Sequence, residues 1–152
     1  MGMKISMNVV KLKEELRAAA DVLNKATRPA AQAGAQIIYD RVKSITSTIR
    51  SKHEHMFHGT HGVYGPYKPG NLHDSIYQAF SKDNSFKDVS TYHVSWNSDK
   101  APYGAMVEFG TKEADESVRA PAQSFIGRAV KETRAEVRRA IKERFIEEVN
   151  KK

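Results

Sequence analysis

The chain has 152 residues, 39% hydrophobic and 28% charged, with a formal net charge of +7 and no cysteine. That length fits one domain, which buries about 70% of the surface its unfolded form exposes. Without cysteine there are no disulfides and no thiolate-ligated metal. No apolar run approaches the roughly 20 residues that span a bilayer, and the opening MGMKISMNVV is too short and polar for a signal peptide. A cytoplasm-like place of synthesis is therefore expected, with no membrane partner.

The first helix is predicted over about residues 8–26, where Val9, Leu12, Leu16, Ala19 or Ala20, and Leu23 recur at helical spacing behind Asn8 as N-cap. Pro29 fits the first turn of a second helix, where its missing N–H costs nothing. Its stripe is Ala31, Ala35, Ile38, Val42, Ile45 and Ile49, with small residues at the N-terminal end that suit close helix packing. The sequence from 51 to 71 has several Gly and Pro and no periodicity, and reads as a long loop. Loops of that length inside a domain are uncommon and usually functional or disordered.

Leu72 to Phe80 is predicted to start a strand, with Ile76 and Phe80 on one parity, and Asp83, Asn84 and Ser85 supply a turn. Val89 to Trp96 alternates, with Tyr92, Val94 and Trp96 on one face, as in a half-buried antiparallel strand. Tyr103, Met106 and Val107 have helical spacing, so YGAMVEF is expected to form about two turns ended by Gly110. Lys112 to Ser117 is a polar loop, and Val118 and Arg119 form a short extended piece. Pro121 is expected to open the last helix, with Phe125, Ile126, Val130, Val137, Ile141, Phe145 and Val149 as its apolar positions. The predicted class is α+β: two N-terminal helices and a long C-terminal helix on a small antiparallel sheet, in a single domain over residues 1–152.

Chemistry-bearing residues are few. His53, His55, His58 and His61, with Glu54 between the first two, have the residue type for zinc, nickel or copper. Their spacing is not HExxH, no Cys assists, and a polar, partly protonated loop accounts for them as well. Glu108, between Val107 and Phe109, has the setting of a carboxylate with a raised pKa. No nucleophile, second acid or phosphate loop pairs with it, so the expected role is structural: accepting backbone N–H groups or an Arg. Ser75 lies in no GxSxG motif. Trp96, Tyr92 and Tyr103 have the rings to stack bases or anchor a partner, with core packing the expected use of Trp96. No cofactor is expected, and no enzyme activity.

Charge is uneven. Residues 1–52 carry ten Lys/Arg against four Asp/Glu, residues 53–112 five against six, and residues 113–152 ten against eight. A basic first third can mark a nucleic-acid face, since Lys and Arg release phosphate counterions. No recognition-helix or aromatic-stacking pattern accompanies it, so solvated helix faces are expected. In the last helix Lys131, Arg134, Arg138, Arg139, Lys142 and Arg144 are interleaved with Glu132, Glu136, Glu143, Glu147 and Glu148. Read along the sequence, that interleaving favours a solvated or salt-bridged face over a DNA stripe.

Three segments in order carry a resemblance. GNLHDSI supplies Gly70, Leu72, Ser75 and Ile76. YGAMVEFGT supplies Tyr103, Val107, Glu108, Phe109, Gly110 and Thr111. APAQSFIGRA supplies Ala120, Pro121, Ala122, Gln123, Phe125 and Ala129. In this order the chain resembles small tail-component (tail-completion, or neck) proteins of long-tailed bacteriophages. It departs from them at Pro69-Gly70, where Thr-Gly is usual, and in the inserted stretch 51–71. The resemblance implies a virion structural protein, assembled in the host cytoplasm, that completes the tail or joins it to the head. It implies a homo-oligomeric ring, commonly sixfold, contacting other neck and tail proteins while DNA passes through without sequence-specific binding. Met56, Phe57, Tyr64 and Tyr67 are the expected assembly contacts in the inserted stretch. The alternatives are a basic nucleic-acid-binding accessory protein and a metal-dependent nuclease using the His-rich stretch.

Overall fold

A computed structural model describes residues 9–49, 53–59, 62–112 and 116–151. The class is α+β, as predicted. Helix α1 (Val9–Thr48) and helix α4 (Phe125–Asn150) pack along each other, and the hairpin of β3 (Ile76–Phe86) with β4 (Val89–Trp96) lies across α1. Between the helices in sequence come β1 (His55–Gly59), β2 (Gly62–Tyr67), the short helices α2 (Asn71–Ser75) and α3 (Gly104–Phe109), and the short strands β5 (Thr111–Lys112) and β6 (Val118–Ala120). The strands form separate antiparallel pairs, β1 with β2, β3 with β4 and β5 with β6. No described helix is long and apolar enough to cross a membrane.

The expected break before Pro29 is absent, and α1 is one helix of 40 residues. An interior proline costs about 3 kcal/mol through its missing N–H and ring clash, and tertiary contacts on both sides offset it. Ala26 and Ala30 are buried, the Thr27 hydroxyl lies 2.9 Å from that of Ser90 in β4, and the Arg28 guanidinium stacks over Phe80 of β3. These contacts join the two predicted helices into one rod about 60 Å long.

The stretch predicted as an irregular loop carries the β1–β2 hairpin, paired from Phe57 opposite Tyr64 to Gly59 opposite Gly62, with His55 opposite Tyr67 beyond a register shift. Its order comes from backbone pairing and from Tyr67, whose ring packs 4.9 Å from Tyr103. Hydrophobic periodicity reports neither. Residues 72–75 are not strand. Gly70, at φ 85°, turns the chain into α2, which buries Leu72 and Ser75, and β3 starts only at Ile76. The β3–β4 turn falls at residues 87–88 rather than 83–85. Ser81, Ser85 and Thr91 there exchange hydrogen bonds across a register shift, which lets the strands run on.

The core gathers Val42 and Ile45 of α1, Leu72 of α2, Ile76 of β3, Ala101, Tyr103, and Phe125 and Ala129 of α4. The sheet turns Ile76, Gln78 and Phe80, opposite Trp96, Val94 and Tyr92, toward the helices. Helices α1 and α4 are antiparallel: Arg41 pairs with Glu132 at 2.6 Å, and Ile141 lies over Gly34. Asn150, where α4 ends, is thus level with about residue 25 of α1. The preceding part of α1 projects about 24 Å past its partner helix.

Candidate functional site

Two of the three resemblance segments meet at one junction. Glu108 near the end of α3 is buried, and its carboxylate reaches the first turn of α4. The Ile126 N–H donates to Oε2 at 3.0 Å and the Gly127 N–H to Oε1 at 3.0 Å. These N–H groups belong to the set a helix start leaves without an intrahelical acceptor, and the positive end of the helix dipole favours a carboxylate there. The α3 carbonyls complete the seam: Gln123 N–H donates to Val107 O at 2.8 Å, and Ser124 N–H to Glu108 O at 3.1 Å. Helix α4 therefore begins at Phe125, not at Pro121. Gln123 and Ser124 are tied to α3, and Ser124, in the left-handed region at φ 43° and ψ 49°, turns the chain into the helix. Glu108 accepts backbone N–H groups, as the sequence predicted.

Gly110 ends α3 at φ 75°, ψ 178°, a region open essentially to glycine. A Cβ there would stand 2.7 Å from both Ala120 O and Ala122 N. At the other end of α3, a Cβ on Gly104 would collide with the indole of Trp96. The same indole meets Phe125 edge-on at 5.6 Å. Trp96 is thus a packing residue between α3 and α4, as expected. Thr111, opposite Ala120, carries the seam into the β5–β6 pair.

The GNLHDSI segment is a second knot. Ser75 is buried, donates its hydroxyl to Leu72 O at 2.7 Å, and accepts the Asn97 N–H at its carbonyl. Tyr103 is buried beside it with Asn71 3.5 Å from its hydroxyl. Burial raises the phenol's pKa above its usual value, against the lowering effect of hydrogen bonds from Asn71 and the Leu72 backbone. Both segments are architectural, and neither brings a nucleophile to a base.

The His-rich stretch divides. His53 is exposed, the backbones of His55 and His58 lie in β1, and His61 falls outside the described residues, as do the side chains of His55, Phe57 and His58. Among the described residues no group of three or more His, Cys, Asp or Glu side chains is placed to hold a metal ion. Of the expected contact residues, Met56 and Tyr64 are exposed. Tyr67 is half-buried, with its ring 4.9 Å from that of Tyr103.

Sequence reasoning missed three exposed surfaces. The stripe Val9, Leu12, Leu16 and Leu23 of α1 is uncovered, Leu16 at 61% and Val9 at 51% exposure. Beside the buried Glu108, Phe109 is 75% exposed, and Met106 one turn earlier in α3 is exposed as well. A groove of about 400 Å³ runs between β4 and α4 over α1, lined by Ala31, Ile38, Val94, Val130 and Val137 among others. Amphipathicity signals that a helix face is buried but not whether its own chain covers it. The charged face of α4 is solvated and in part salt-bridged, as expected, with Arg144 paired to Glu147 and Glu148. Comparison with known proteins finds no matching family model, curated protein or solved structure.

Proposed function

We propose that the chain is a structural subunit of a bacteriophage neck, forming a homo-oligomeric ring around the DNA path that completes the tail or joins it to the head. The observation that carries this reading is the first half of α1, an apolar-striped helical arm standing clear of its own core. Leucines at that exposure gain about 1.5–3 kcal/mol each on burial, which favours association. The arm and the β4–α4 groove are different patches, so one copy's arm in the next copy's groove makes a heterologous contact, the kind that closes into rings. Exposed Met106 and Phe109 of α3 supply a further apolar face for a neighbouring ring. The order of the GNLHDSI, YGAMVEFGT and APAQSF segments supports the placement in a phage neck, and the junctions they build are structural rather than reactive. The mechanism is geometric and needs no turnover.

Native mass spectrometry and electron microscopy of the purified protein test this. Closed rings are expected for the native chain. Leu12→Asp/Leu16→Asp should yield monomers whose unfolding free energy changes by no more than about 1 kcal/mol, the range of two surface substitutions. A native chain that stays monomeric at high micromolar concentration, or a double variant that still closes rings, would overturn the reading.

A further inference from the structure

We infer that the outer face of α4 is a binding surface for the phosphate backbone of duplex DNA. Helical periodicity places Arg128, Lys131, Arg134, Arg138, Arg139 and Lys142 together on one side of α4, with only Ala135 among them. All six cations are exposed. Glu132, Glu136, Glu143 and Glu147 fall on another side, and the Arg41–Glu132 contact at 2.6 Å orients Glu132 toward α1. Among the described residues Lys131, Arg134, Arg138, Arg139 and Lys142 have no ion-pair partner, and Arg128 has only Glu132 at 3.9 Å.

Lys131, Arg134, Arg138 and Lys142 form a ridge in steps of one turn, about 16 Å from end to end. One DNA strand presents about one phosphate per 3.4 Å of axis, so the ridge spans about five. The ridge has no aromatic or aliphatic anchor at its centre, unlike the apolar core of a protein interface. Unpaired cations on an exposed helix, without base-reading side chains such as Asn or Gln among them, fit backbone contact that is indifferent to sequence. The inference goes beyond ring formation and applies to a single subunit.

Fluorescence anisotropy of a short duplex of arbitrary sequence tests it, on the native chain and on the Leu12→Asp/Leu16→Asp variant, so that the result stands whether or not rings form. Four phosphate contacts give a log–log salt slope of about −4, a loss on the order of a hundredfold in affinity between about 50 and 200 mM salt. Lys131→Gln/Arg134→Gln/Arg138→Gln/Lys142→Gln keeps good helix formers and should weaken binding at least about tenfold at the lower salt, with most of the slope lost. The control, Lys82→Gln/Lys87→Gln/Lys100→Gln/Lys112→Gln, removes the same charge from exposed positions elsewhere and should retain the slope. The inference is overturned if the native chain does not bind at the lower salt, if the two quadruple variants lose affinity equally, or if poly-glutamate competes as well as DNA.

Discussion

Glu108 and Gly110 sit two residues apart and act on the same few backbone groups. The carboxylate takes two N–H groups of α4, and the glycine turns the chain so that residues 120–124 can reach the α3 carbonyls. Glu108→Ala leaves those donors buried without an acceptor and should cost about 1–3 kcal/mol, while Glu108→Gln, which keeps one acceptor oxygen, should cost less. Gly110→Val should be worse than either, since it combines a β-branched residue at positive φ with a Cβ against Ala120 O. Urea titration of the three variants would rank them, and a Gly110→Val chain as stable as the native one would refute this account of the turn. Tyr103 adds a pH signature. Its phenol is harder to ionise folded than unfolded, so the stability it contributes is whole below about pH 10 and is lost as pH rises further. Tyr103→Phe should remove that alkaline loss in stability measured between about pH 8 and 11.

At the scale of elements, the β1–β2 hairpin is an addition to the core rather than part of it. Its one described link to the hydrophobic cluster is Tyr67 at the end of β2, while Met56, Val63 and Tyr64 are exposed. Deleting His53 to Tyr64 leaves Tyr67 and α2 in place, so cooperative unfolding should persist with little loss of midpoint. On the ring reading the same deletion should weaken assembly, because it removes Met56 and Tyr64. Sedimentation velocity beside thermal melts separates the two effects. A collapsed melt would show that the hairpin is core, and undiminished assembly would show that it is idle. Helix α1 differs: its C-terminal half is core, its N-terminal half is arm, and Pro29 lies at the passage between them, where the contacts of Thr27 and Arg28 with the β3–β4 hairpin begin.

Across the whole molecule, the first and last elements hold the core between them. Phe125 and Ala129 of α4 close over Val42 and Ile45 of α1, and all four are buried. A chain ending at Ser124 would expose that surface and strand the Glu108 carboxylate without its partners. Such a truncation should lack a cooperative thermal transition, and Phe125→Ala in the full chain should cost about 3–5 kcal/mol. A truncated chain with native near-ultraviolet circular dichroism would show that α1 and the β3–β4 hairpin form a core unaided.

The sequence alone carries the α+β class, the stripe from Ala31 to Ile49, the alternation of β4 and the Gly110 turn. Each depends on a period or a backbone preference that a few neighbouring residues express. It also made Glu108 legible as a structural acceptor, since no reactive partner accompanied it. Tertiary structure decided the rest. Pro29 stays helical because contacts distant in sequence outweigh its local cost, and the 55–67 stretch forms a hairpin because backbone pairing and Tyr103 hold it. Leu12 and Leu16 remain in solvent because α4 ends before it can reach them, a matter of two helix lengths and their offset. The cations of α4 share a side by helical period, and packing against α1 is what leaves that side outward. A period marks which residues share a side, whereas only the assembled fold settles what, if anything, covers it.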